Sequence, residues 1–346
     1  MKEIDLRSDT VTLPTAEMIE AMSTAQLGDD GREHGDKGED KTAERVEGLV
    51  AGILGKEDSL FVPSGTFGNT LCIMTLTKRG DSVIVASNSH IYKSEKSLFD
   101  ENIYGRVPVL VPQIKGVYNI AELISALKNG NISVVCIENS YNFEGGTVMS
   151  KEKTEEIISI CSSYNVPVHL DGARLLNAAG ALNTDAASLA KGTTSVMLCV
   201  SKGLCAPVGS FVAGDRVFIK EARKMRKLLG GQLRQVGILE AAAEIAVKSV
   251  ALNIGKDNLR ARRLAEGIKD AKDIYIDLDT VQTNIIKINL TGSIEAREFI
   301  KRLEETKKIR SHYINDSSVR LVTYNGITDS DIEEAIKRIN NFCNTL

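Results

Sequence analysis

Short apolar runs that end in polar or glycine-bearing tips recur along the first two-thirds of this chain, and they restrict the folds open to it. Ser59–Val62 leads into PSGT, Ser82–Ala86 into SNSH, Ser133–Ile137 into ENS, Val166–Leu170 into DGAR and Ser195–Val200 into SKG. Runs that are apolar on both faces read as buried parallel strands, with chemistry at their C-terminal ends. Segments of helical period lie between them. Val46, Leu49, Val50 and Ile53 form a stripe within Thr42–Gly55, where Gly55 is the expected stop. Ile157, Ile158 and Cys161 do the same within Lys151–Tyr164. A T-x-x-D signal at Thr328 opens a last helix striped by Ile332, Ala335, Ile336 and Ile339. The alternation predicts an α/β fold with a mostly parallel sheet flanked by helices.

At 346 residues, more than one domain is expected. An alanine-rich helical stretch from about Gly231 to Val250 is long enough to link two units. Beyond it, IYIDLDT, TNIIKINL and SSVRLVTY look like strands among charged helices. The predicted division is therefore a large domain over 1–250, N-terminal arm included, and a smaller α+β domain over 251–346. The glycine-rich, charged stretch Gly28–Asp40 reads as a loop.

Several classes are disfavoured. A formal charge of -3 offers no basic footprint for nucleic acid. No stretch approaches the roughly 18 consecutive apolar residues that span a bilayer, so no membrane partner is expected. The start, MKEIDLRSDTVTLPT, has no apolar core of a signal peptide. The six cysteines contain no C-x-x-C pair and mostly sit in apolar runs, which predicts buried free thiols and no metal site. A cytoplasmic protein fits these features.

The strand tips hold the candidate chemistry. Lys202 follows a very apolar strand and precedes the uncharged LCAPVGSFV, so partial desolvation is expected to lower its pKa, as an imine-forming lysine requires. Asp171 ends VPVHLD; it is either a helix cap or a carboxylate set against a pyridine nitrogen. Ser64-Gly65-Thr66 joins a strand to a helix, either as an ordinary cap or as a cradle for a phosphate at the positive helix end. Arg174, at the Asp171 tip, and Arg320, inside the apolar run VRLVTY, are candidates for gripping a carboxylate. His90 follows SVIVA at the same edge, where an imidazole can lie on a cofactor ring or act as acid or base. His169 reads as core, His34 and His312 as bystanders.

With those residues in place, the sequence resembles the low-specificity L-threonine aldolases of the β-eliminating lyase group. The likeness runs through DLRSDTVT-x-PT, GKEDSLFVPSGTFGN, SNSHIY, HLDGARLLNAA, VSKGLCAPVGS, RKLLGGQLRQVGI, TNIIKI and RLVT, in that order. It implies the fold-type I architecture of enzymes dependent on pyridoxal 5'-phosphate (PLP), and a homo-oligomer built as a dimer of dimers. It also implies roles. Lys202 would carry PLP as a Schiff base, Asp171 would pair with the pyridine nitrogen, and Gly65 with Thr66 would take the phosphate. His90 would stack on the ring. Arg234 would reach the phosphate from a neighbouring subunit, and Ser8, Arg174 and Arg320 would fix the substrate carboxylate.

The resemblance implies cleavage of L-threonine, L-allo-threonine or a related β-hydroxy-α-amino acid to glycine and an aldehyde. Three blocks depart from the family pattern. Tyr141 stands where the E-N-T-H-N block has histidine; a tyrosine, with a reference pKa of about 10, is a poor base near neutrality but can donate a hydrogen bond. The 28–40 loop is longer than usual, with Lys37 where tyrosine is expected, and Tyr324 follows RLVT in place of histidine. These changes keep β-elimination or racemisation on the same scaffold open as alternatives.

Overall fold

The computed structural model describes residues 1–31 and 38–346, so His34 and Lys37 of the glycine-rich loop lie outside the described residues. A seven-stranded sheet forms the centre of the larger unit. In spatial order its strands are Asp58–Val62, Ser210–Gly214, Ser195–Cys199, Val168–Gly172, Ile132–Glu138, Ser82–Ala86 and Val107–Val111. All neighbours run parallel except Ser210–Gly214, which is antiparallel to both of its own. The five strands expected from the apolar runs are present, shifted by at most two residues at either end. The strands over Val107–Val111 and Ser210–Gly214 are additional.

The helices follow the sequence signals closely. Lys41–Ile53 is capped by Asp40, whose carboxylate accepts from Thr42 N and Ala43 N, and Gly55 leaves the helix at φ +62. Ser150 caps Lys151–Ser163. Thr328 and Asp331 make the reciprocal capping box that opens Asp329–Cys343. The alanine-rich stretch forms Gly237–Ile245 and runs on helically to Ile254–Ile268.

Beyond it, Ile274–Tyr275, Ile285–Leu290, Ser318–Val322 and His312–Asn315 form an antiparallel sheet, in that spatial order. Its apolar face packs with Leu264, Phe299, Ile332 and Phe342. The N-terminal arm joins this core. Ile4–Asp5 pairs in parallel with Ile309–Arg310, and Ile4 and Leu6 are buried among the C-terminal residues. All six cysteines are buried and unpaired. Among the described residues, no helix is long and apolar enough to cross a membrane.

The antiparallel strand explains how Lys202 is held. The chain leaves Ser195–Cys199, turns through Lys202, and must re-enter the sheet beside the strand it left. Cys205 N to Lys202 O (2.9 Å) and Ala206 N to Val200 O (3.0 Å) close the turn. Thr12 of the N-terminal arm donates its hydroxyl to Lys202 O at 2.7 Å. Gly209 ends the turn at φ +107, and a Cβ there would run into the Phe61 ring. Phe61 in turn packs edge-on against Phe211, 5.4 Å between centroids. Gly209→Ala adds volume where none is free and forces an unfavourable φ, so a loss of about 1–3 kcal/mol is expected. Thermal unfolding checks this: a clearly lowered Tm is the expected result, and an unchanged Tm would contradict it.

Candidate active site

The strand ends carry Asp171, His90 and Lys202 to one edge because their strands run parallel, and the register sets Asp171 opposite Glu138 and Met197. There a cavity of about 210 Å³ is lined by Ser64, Gly65, Thr66, His90, Asp171 and Lys202, among others. Asp171 is buried; it accepts from Asn69 Nδ2 at 2.9 Å and from Ala173 N at 3.1 Å. Lys202 is half-buried and lines the same cavity.

The candidate anion cradle is the start of helix Gly65–Leu76. Ser64 caps Phe67 N at 3.1 Å, and Gly68 N bonds back to Ser64 O at 2.9 Å. The N–H groups of Gly65 and Thr66 have no partner among the described residues, which leaves donors for an anion at the positive helix end. Ser210 Oγ, buried and also without a partner among the described residues, lies 3.6 Å from where a Cβ on Gly65 would stand. The bare glycine keeps this floor open. Free backbone donors for an anion, a buried carboxylate that suits a ring nitrogen and an amine line the same cavity, a set of groups that fits PLP.

His90 begins the short helix His90–Ser94. Its backbone N–H donates to Glu138 Oε2 at 2.8 Å, and its Nδ1 lies 3.1 Å from Glu95 Oε1. Burial lowers the affinity of the ring for a proton, but Glu95, Asp171 and Glu138 outweigh it and raise the pKa above the usual histidine value. Burial, with Asp171 beside it, pushes Glu138 up to about 7. On its other side His90 is stacked at 17° to the Phe143 ring, 6.4 Å between centroids.

Arg174 and Arg320 are brought together although one follows Val168–Gly172 of the seven-stranded sheet and the other lies in Ser318–Val322 of the four-stranded sheet. Arg174 is buried and grips Asp9 in bidentate fashion, through Nε at 2.6 Å and Nη2 at 2.7 Å. Its Nη1 is 3.3 Å from Asn142 Oδ1, which also accepts from Arg320 Nη1 at 2.8 Å. Arg320 has one longer bond besides, from Nη2 to Arg7 O at 3.3 Å, and its Nε has no partner among the described residues. Burial, then the charge of Arg174, drops the Arg320 pKa to about 10, against a smaller opposing effect of Asp9. Asp9 stays anionic down to about pH 2: burial opposes its charge, but Arg174 and then Lys202 and Asn284 outweigh that.

Ser8 is next to Asp9, its Oγ accepting from Thr10 N at 3.2 Å and Thr10 Oγ1 at 2.9 Å. Ser8, Arg174, Arg320, Tyr141 and Arg234 all stand outside the lining of this cavity, although Thr10 and Ala173, which line it, are close in sequence to Ser8 and Arg174. The Tyr141 hydroxyl donates to Asn88 Oδ1 at 3.0 Å, and burial raises its pKa far above the ordinary phenol value. Arg234 is exposed and pairs with Asp29 at 2.9 Å. His169 is fully buried, as expected of core, but it is hydrogen-bonded at both nitrogens. The sequence reading did not single out Asp9, Asn69, Glu95 or Asn142. Asp9, Asn69 and Asn142 lie within quoted blocks, so a polar residue inside an otherwise recognised motif is the available signal; Glu95 lies outside them.

The chain matches the β-eliminating lyase family model over residues 5–291. It is 38% identical to low-specificity L-threonine aldolase 1 of Arabidopsis thaliana, across 96% of this chain and 94% of that protein. Identity to the low specificity L-threonine aldolase of Escherichia coli (strain K12) is 32%, over 96% of each. The fold matches a solved structure of Leishmania major threonine aldolase with a TM-score of 0.81 at 19% identity, covering 98% of this chain and 99% of that one. These likenesses establish fold-type I and PLP as the cofactor, with the donor set above in place to receive it. The chain belongs to the β-eliminating lyase family and is a PLP-dependent lyase.

Proposed function

We propose that this enzyme is an aldolase that cleaves L-threonine, L-allo-threonine or a related β-hydroxy-α-amino acid into glycine and an aldehyde. One observation carries the reading beyond the family assignment. Two buried guanidiniums, Arg174 and Arg320, share the Oδ1 of Asn142, and among the described residues the ion pair formed there is that of Arg174 with Asp9, while Arg320 has no carboxylate partner. Burial and then the neighbouring Arg174 charge disfavour the Arg320 cation, and an incoming carboxylate would offset both.

In this reading Lys202 holds the coenzyme, Asp171 faces its ring nitrogen, and Gly65 and Thr66 hold its phosphate. When bound, PLP supplies an electron sink for the pair left on Cα as the Cα–Cβ bond breaks. The protein's own work is orientation and proton movement. Arg320, with the remaining nitrogen of Arg174 and the Ser8 hydroxyl, binds the α-carboxylate and so selects which bond on Cα can break. Asp9 spends most of the Arg174 fork and keeps it fixed. His90, on the cavity wall, takes the proton of the β-hydroxyl. Tyr141 acts as a hydrogen-bond donor, because burial bars it from accepting that proton near neutral pH.

The enzyme works as a homo-oligomer in which Arg234 reaches a neighbouring subunit's phosphate, and it resides in the cytoplasm. Exposure of Arg234, away from the cavity of its own subunit, supports the first point. The departures at Tyr141 and Tyr324 supply no observation that favours elimination. Tyr324 is buried and donates to Asp5 O at 2.9 Å, a structural bond to the arm.

Incubating the PLP-loaded enzyme with each amino acid in turn tests the reaction. Glycine and an aldehyde are expected from at least one β-hydroxy-α-amino acid; a keto acid with ammonia, or no glycine from any, would overturn the reading. A second test isolates the carboxylate grip. Arg320→Lys keeps the charge but loses the fork, and should lower kcat/KM by about 10- to 100-fold, the worth of a charge-assisted hydrogen bond of about 1.5–3 kcal/mol. Unchanged kinetics would place the carboxylate elsewhere.

A further inference from the structure

A chain of buried side chains at the cavity wall joins His90 to Asp171. Glu95, Asn69, His169 and Ser195 are all at most 1% exposed. Asn69 Nδ2 donates to Glu95 Oε1 at 2.9 Å and to Asp171 Oδ2 at 2.9 Å, one hydrogen for each carboxylate. Its Oδ1 is then an acceptor, so His169 Nε2, 3.0 Å away, must carry a proton. Burial drops the His169 pKa to about 4, so that ring is neutral and has only the one. Its Nδ1 therefore accepts from the Ser195 hydroxyl at 2.9 Å. Every proton in this relay is assigned by the two carboxylates at its end.

The same reasoning applies to the ring at the cavity. Glu95 Oε1 lies 3.1 Å from His90 Nδ1; burial raises the Glu95 pKa, against the His90 and Asn69 hydrogen bonds, and with Glu95 ionised this contact calls for a hydrogen on Nδ1. Glu95 has a second oxygen that is buried without a partner among the described residues, a costly arrangement for a residue that merely fills space.

We propose that Glu95 is a positioning residue for the reaction: it keeps the single proton of neutral His90 on Nδ1, leaving Nε2 as the nitrogen that accepts a proton at the cavity. Asn69 ties this arrangement to the carboxylate of Asp171, so that the imidazole and the ring-nitrogen partner are set by one amide. The inference rests on the role given to His90 in the proposed aldol cleavage. The charged groups facing the ring are Glu95, Glu138 of the strand Ile132–Glu138 and Asp171 of the strand Val168–Gly172, with Lys202 across the cavity.

Nitrogen-15 spectra of the histidine-labelled, PLP-loaded enzyme test it, with His90→Gln used to assign the signal. Above its pKa, His90 should show a protonated Nδ1 and a bare Nε2. Glu95→Gln preserves size and removes the charge, so the His90 titration should move to lower pH by about one unit. The acidic limb of the kcat/KM profile should move down with it, since a base must be neutral to act. A protonated Nε2 in the wild-type enzyme, or an unmoved titration in folded Glu95→Gln, would overturn the proposal; the wild-type spectrum decides the tautomer without any variant. A wild-type enzyme that releases glycine but shows Nε2–H sinks this inference alone. One that releases no glycine sinks the aldolase reading, and the spectrum still decides the tautomer.

Discussion

Asp171 and Lys202 meet because two neighbouring strands run parallel and end at the same edge of one sheet. The register that sets Asp171 opposite Met197 leaves Lys202 a few residues beyond the adjoining strand, across a single cavity. Parallel strands align their C-terminal ends, so loops distant in sequence gather there without any of them being long. His90, the helix start at Gly65 and Glu138 come to the same edge by the same rule. The antiparallel return of Ser210–Gly214 then closes the lysine turn against the sheet.

The site divides into two electrostatic regions. Around Asp171, the proposed partner of the ring nitrogen, Glu95 and Glu138 make up a group of three buried carboxyl groups, and His90 and the Asn69 amide answer them. Around the carboxylate position, two guanidiniums crowd one aspartate. Each region is out of balance alone, and each imbalance fits one part of the proposed cargo: a protonated ring nitrogen in the first, an α-carboxylate in the second. The N-terminal arm links the two. Asp9 neutralises part of the second region, while Thr12 holds the lysine turn from the same short segment.

Much of this was legible in the sequence. Apolar runs gave away the parallel strands because both of their faces are buried, and Thr328 and Gly55 marked helix ends through local chemistry alone. The strand Ser210–Gly214 was not legible, since SFVAG continues the uncharged run after Lys202 and only its pairing shows where the turn ends. The joining of Ile4 and Leu6 to the C-terminal core was also hidden, because a short arm has no period and its contacts lie some three hundred residues away. Among the residues gathered at the cavity, the lysine, the aspartate and the small-residue helix start announced themselves at strand tips. Asn69, Glu95 and Asn142 did not, for their roles lie in what they touch: an asparagine inside a helix looks the same whether it faces water or bridges two carboxylates.

The claim on which the rest depends is that Lys202 is the residue bonded to the coenzyme. Borohydride treatment of the PLP-loaded enzyme, followed by digestion and peptide mass analysis, tests it directly. A pyridoxyl group found on Lys202 is the predicted result; a tag on another lysine, or none on a protein that holds the coenzyme, would contradict it.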